Sequence, residues 1–208
     1  MTLASDERAA LADTFDKVGP DRPTLCGDWT TQDLLAHLLV RERQPWASGG
    51  ILVPALAPIT ERAMRGYAKT PWSELVDEWR AGAPLWSPFR LGKVDEMANG
   101  AEHFVHHEDV RRGEPGWEPR PADPKRDAQV WALVGRSGRM MYRHSPVGVI
   151  LRRPSGEQAV VKTGPGSVTV VGEPSELLLH GFGRDEIRVT FEGDPADLAE
   201  LQATSRGI

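Results

Sequence analysis

The stretch Asn99-Gly100-Ala101-Glu102-His103-Phe104-Val105-His106-His107-Glu108-Asp109-Val110 holds three of the chain's six histidines together with three carboxylates. Its apolar spacing predicts a helix over roughly Val94–Arg112, beginning beyond Gly92. At ~100° per residue, Met97, Ala101, Phe104 and Val105 form the stripe that turns inward. Glu102 and His106, one turn apart, flank that stripe beyond Val105, and His103 and His107 flank it beyond Phe104. Two ligand-type side chains one turn apart on a helix supply two corners of a metal site. The helical period alone leaves the two pairs equal.

A catalytic zinc-type site takes three protein ligands and keeps a fourth position open for water or substrate. The third corner must then come from another helix, and His37 is the outstanding candidate. It sits among Leu34, Leu35, Leu38 and Leu39, in a helix that starts at a Thr30 cap with Asp33 at its third position and Trp29 stapled on Leu34. Burial in such a run favours the neutral, ligating imidazole. A core histidine paired with a carboxylate is the competing reading. Asp109, three residues after His106, either accepts a hydrogen bond that fixes that ring or pairs with Arg111 or Arg112. Glu108 or Asp109 could serve as general base if water is the nucleophile, with a surface salt bridge the first reading for Glu108. His144 and His180 lie near segment ends, where surface or capping roles are ordinary. Cys26 is a reactive thiol, a soft metal ligand or, in the simpler reading, a small residue half-buried in a turn.

The composition bounds the function. The chain has 208 residues, 39% hydrophobic and 26% charged, which is ordinary for a globular protein. A formal net charge of -5 argues against broad nucleic-acid binding, which needs a positive field. The first twenty residues carry acids and no apolar core of signal-peptide length, and no run approaches the ~18 apolar residues a membrane span needs. A single cysteine excludes an intramolecular disulfide and fits a reducing cytoplasm. Trp46, Trp72, Trp79 and Trp86 are candidates for a pocket mouth, with core packing as the default for each.

Further helices are predicted over Asp6–Val18 (Ala9, Leu11, Ala12, Phe15 and Val18 inward), Ala57–Ala68, Glu74–Trp79 and Arg126–Tyr142. Pro45 and Gly49-Gly50 end the helix that carries His37. After Pro146 the pattern changes to short β-branched runs at Val147–Leu151, Ala159–Val161 and Ser167–Val171. A short helix at Glu176–His180, a strand at Ile187–Phe191 and a terminal helix at Asp194–Gln202 follow. The expected organisation is a helical part over residues 1–145 and a small α+β part over 146–208 that rests on the helices, because a core below ~70 residues is marginal alone.

The run Thr24-Leu25-Cys26-Gly27-Asp28-Trp29-Thr30-Thr31-Gln32-Asp33-Leu34-Leu35-Ala36-His37-Leu38, with its Trp-Thr cap before Asp-Leu-x-x-His-Leu, resembles the second-helix signature of the mycothiol-dependent maleylpyruvate isomerase-like, DinB-fold metalloproteins. Glu102–Val110 is similar to the same family's Glu-x-x-x-His element, and the match is nearest an actinobacterial metal-binding subgroup. The resemblance covers roughly residues 5–145, and the later segment resembles the small C-terminal domain of the same proteins. It implies a DinB-like four-helix bundle with a divalent metal, zinc first, held by His37, Glu102 and His106, and so favours that pair over His103 and His107.

The resemblance also implies a low-molecular-weight thiol, mycothiol, as cofactor in an isomerisation or transfer. Thiol addition to a conjugated double bond, rotation about the resulting single bond and elimination would isomerise a small-molecule substrate and return the thiol. No residues match a maleylpyruvate pocket, although Arg152, Arg153 or Arg188 could bind carboxylates. The alternatives are a metal-dependent hydrolase and a non-catalytic metal-binding stress or sequestration protein, served by the same ligands. Bundles of this kind can pair as homodimers, and no residue here selects that state.

Overall fold

A computed structural model describes residues 2–44, 46–47, 54–90 and 92–207, with the backbone alone at 54, 88, 92–94, 97 and 98. The helix-ending Pro45 and Gly49-Gly50, and the side chain of Met97, therefore lie outside the described residues. Two compact units divide the chain, residues 1–118 and 119–208.

The first unit is helical. Helix α1 (Leu3–Val18) starts three residues earlier than its apolar pattern suggests, because Thr2 and Ser5 cap it reciprocally. Helix α2 (Thr31–Arg43) starts where predicted, with Thr30 Oγ1 accepting from the Asp33 N–H and the Asp33 carboxylate accepting from the Thr30 N–H. Helices α3 (Ala57–Gly66), α4 (Trp72–Arg80) and α5 (Gly92–Arg111) follow. Leu11, Ala12 and Phe15 of α1, Leu34, Leu35, Leu38 and Leu39 of α2, Leu75, Val76 and Trp79 of α4, and Val110 of α5 form one apolar cluster. Fully burying each large aliphatic side chain there contributes about 1.5–3 kcal/mol.

The inward face of α1 differs from its apolar reading. Ala9 is exposed, whereas Glu7 and Arg8 are buried because each has a partner on another helix. The tryptophans divide as well. Trp79 is fully buried and Trp72 packs edge-on to Phe15, while Trp46 and Trp86 are exposed.

The second unit begins earlier than the predicted boundary at 145. Helix α6 (Pro124–Met141) packs on α7 (Pro174–Gly181) and on strand β2 (Gln158–Lys162), so it groups with the sheet. A Cβ at Gly138 would come within 2.3 Å of Val161 Cγ1, and this close approach lets the helix lie against β2. Strands β1 (Gly148–Arg152), β2, β3 (Ser167–Gly172) and β4 (Val189–Gly193) form one sheet in the order β2-β1-β3-β4. The β1/β3 pair is parallel and the two outer pairs are antiparallel. Helix α8 (Pro195–Ala203) covers β3 and β4. No helix among the described residues is long and apolar enough to cross a membrane.

Candidate metal centre

The Thr30/Asp33 capping box fixes the phase of α2, and two turns further on the phase presents His37 to α5. Its flanking leucines are fully buried, which leaves His37 only 6% exposed. Glu102 and His106 reach it from α5. The Glu102 Oε1 atom lies 3.6 Å from His37 Nε2 and 3.3 Å from His106 Nε2. The two rings meet edge to face, centroids 5.4 Å apart. The three donor atoms all fall within 4.8 Å of one another. The residues the sequence singled out on two separate helices thus share one small space.

The electrostatics separate the roles. Burial lowers the His37 pKa, and the neighbouring His106 and Arg41 charges add to that, so His37 is the neutral member. Burial would raise the Glu102 carboxyl, but the adjacent His106 and His37 rings and Arg41 outweigh it and hold it well below the usual carboxylate range. Burial would lower His106, yet Asp109, Cys26 and Glu102 around its ring hold it well above an ordinary histidine. Arg41 Nε stands 3.5 Å from Glu102 Oε1. The centre thus gathers one partly buried anionic oxygen and one neutral imidazole nitrogen, with the second imidazole held cationic beside them.

His106 is held from its other edge. Its Nδ1 lies 2.9 Å from Asp109 Oδ2, and Cys26 Sγ donates to that same oxygen at 3.1 Å. Asp109 therefore follows the ring-fixing reading, and Arg111 and Arg112 pair with Glu108. Glu108 does salt-bridge, but as a buried residue and not a surface one, with Arg111 and Arg112 as its partners.

His103 and His107 face away from this centre. His103 lies fully buried with Nδ1 on the Ala4 carbonyl at 3.0 Å and Nε2 on Glu42 at 3.2 Å. His107 places Nδ1 2.8 Å from Glu7 and Nε2 2.9 Å from Thr14 Oγ1. Glu42, Asp95 and His103 also gather ligand atoms. The Arg8 guanidinium already supplies their cation, pairing with Glu42 and lying 3.7 Å from Asp95 over the Trp79 ring. His180 is buried rather than superficial, with Nδ1 2.6 Å from the Tyr142 hydroxyl, and His144 is exposed as expected. Within the second unit, Arg152 pairs with Glu192 and Arg153 with Glu157 at 2.8 Å.

A groove of about 510 Å3 opens between α2 and α3, lined among others by Trp29, Gln32, Asp33, Glu61, Met64 and Arg65. The Trp29 ring also packs on His37, centroids 5.1 Å apart. Nothing in the sequence marks this groove, because the residues of α3 carry no motif.

No family model matches the sequence, and no curated protein does either. Among solved structures, the mycothiol-dependent maleylpyruvate isomerase is similar to this chain, with a TM-score of 0.56 at 15% identity over 91% of this chain and 90% of that one. A histidine-to-alanine mutant of the same enzyme gives 0.55 at the same identity and coverage. At this identity the likeness is one of fold. The class defined by fold and site together is a mainly helical protein with a small C-terminal sheet and residue groups able to hold a metal.

Proposed function

We propose that the chain binds one divalent metal, zinc first, through His37, Glu102 and His106, and uses it with a low-molecular-weight thiol such as mycothiol in isomerisation or transfer. The observation that carries this reading is the convergence of two imidazole nitrogens and one carboxylate oxygen from two helices within 4.8 Å. The donor set fits the metal: mixed His/Glu/His ligation suits a borderline cation and is typical of centres that keep a position open. A cation bound there would supply a Lewis-acidic position that makes a thiol or water easier to deprotonate.

The chain's own residues prepare that position. His37 stays neutral by burial and offers its lone pair without first losing a proton. Glu102 contributes the negative charge that two imidazoles lack. Trp29 packs against one side of the His37 ring. Arg41 pairs with Glu102 and with Asn99 Oδ1 and so holds the carboxylate in place beside the centre. The thiol reading rests on the fold likeness to the mycothiol-dependent enzyme. A small-molecule thiol and a small-molecule substrate are the partners it implies.

Cobalt substitution tests the thiol role. Titrating the cobalt-loaded protein with mycothiol, glutathione and cysteine is expected to give a thiolate-to-cobalt band for one of them. Silence towards every thiol would overturn thiol use and leave metal-assisted hydrolysis or plain metal storage as the function of the same ligands.

A further inference from the structure

Asp109 and Cys26 belong to a loop-and-helix junction whose contacts reach both histidines of the proposed centre. The Leu25 N–H donates to the Asp109 carbonyl at 3.1 Å, which pins the loop before α2 to the last turn of α5. Gly113 permits that contact, since a Cβ there would lie 2.1 Å from the Pro23 carbonyl oxygen. Inside the loop, Thr24 Oγ1 donates to the Trp29 carbonyl and accepts from the Cys26 N–H. Gly27, at φ 65°, turns the chain between Cys26 and Trp29 through a conformation other residues rarely adopt. As a result Cys26 faces the Asp109 carboxylate on one side, and Trp29 faces the His37 ring on the other.

We infer that the Thr24–Trp29 loop, acting through Asp109, is the positioning device of the metal centre: Cys26 and Asp109 orient His106 while Trp29 orients His37. The inference rests on the metal reading above and adds residues that touch no metal. The two edges of the His106 ring divide the work. Nε2 turns towards Glu102 and His37, and Nδ1 turns towards Asp109, so one ion cannot use both nitrogens. Cys26, Asp109 and His106 Nδ1 could themselves form the corners of an alternative site. Their separations of 2.9 and 3.1 Å are those of hydrogen bonds already made through the ring and thiol protons. The Glu102 contacts, at 3.3 and 3.6 Å, leave the wider opening. A carboxylate on the far nitrogen of a ligating imidazole fixes its tautomer and orientation, and losing it typically weakens metal affinity about 10- to 100-fold.

The test compares zinc and cobalt affinity, by chelator competition, of the wild-type chain with Asp109→Ala, Asp109→Asn and Cys26→Ala. Asp109→Ala is expected to weaken binding about 10- to 100-fold, Asp109→Asn by less because one acceptor remains, and Cys26→Ala by less again. Cobalt-loaded wild type without added thiol is expected to show no thiolate band. A thiolate band from the protein alone, or a Cys26→Ala loss as complete as that of His37→Ala, would make Cys26 a ligand and overturn the inference. Unchanged affinity in Asp109→Ala would overturn it too. The His106 ring in the metal-free protein gives an independent reading by nitrogen NMR. A slowly exchanging Nδ1 proton, lost in Asp109→Ala, is expected whether or not metal binds. A wild-type chain that keeps this proton but takes up no metal would sink the metal reading while leaving the hydrogen bond to Asp109 standing.

Discussion

His180 joins burial to pH dependence at the scale of one side chain. Burial, with Arg206 nearby, lowers its pKa from 6.5 to about 3, and burial keeps the Tyr142 hydroxyl, 2.6 Å from His180 Nδ1, protonated. The unfolded chain protonates this histidine below pH 6.5 and the folded one does not. Stability therefore rises with pH between about 3 and 6.5 and is lost as pH falls through that window. Between pH 6.5 and 5 the loss is about 2 kcal/mol. Chemical unfolding of wild type and His180→Gln at pH 7.5 and pH 5 checks this, since the wild type should lose that much more on acidification. Equal losses would contradict it. Nothing in the sequence around His180 announced this role: Leu177–Leu179 mark a buried helix, but the tyrosine that fills the hydrogen bond is distant in the chain. The same holds for His103 and His107. Helical period placed them level with Glu102 and His106, and only Glu42, Glu7 and Thr14, contributed by other helices, show which way they face.

At the scale of elements, most starts and stops were written in local chemistry. The Thr30/Asp33 box and the β-branched runs after Pro146 both mark boundaries that the structure keeps within a few residues. The face of α1 was less legible, because an amphipathic pattern assumes that charged residues point outwards. Glu7 and Arg8 break that assumption by pairing with His107 and Glu42. Close approach was hidden too: the lack of a Cβ at Gly113 is what lets the Pro23–Thr24 backbone lie against the end of α5. Gly113→Ala should destabilise by about 1–3 kcal/mol, as overpacking does, and weaken metal binding by moving the loop. Thr30→Ala removes an N-cap and should cost about 1 kcal/mol, with a smaller effect on the site because Leu34, Leu35, Leu38 and Leu39 still anchor α2. Denaturant unfolding and chelator competition on both variants measure the contrast. A Gly113→Ala protein of wild-type stability and affinity would count against the loop's role.

The whole molecule divides between α5 and α6, earlier than a reading of composition suggests. Composition changes at Pro146, where strands begin, but packing changes at 118/119 because α6 serves the sheet. The donors of the proposed centre, and the loop that positions them, all belong to residues 1–118. Leu151→Ala, at a fully buried position in β1, should therefore cost about 2–5 kcal/mol while leaving metal affinity in the folded protein unchanged. Unfolding curves and chelator competition on that variant separate the two effects. A metal at His37, Glu102 and His106 is tested by metal analysis of purified protein after zinc loading and dialysis. One divalent ion per chain is expected in wild type, lost in His37→Ala but retained in His103→Ala that still folds. A metal-free wild type, or binding that survives His37→Ala and disappears with His103→Ala, would contradict it.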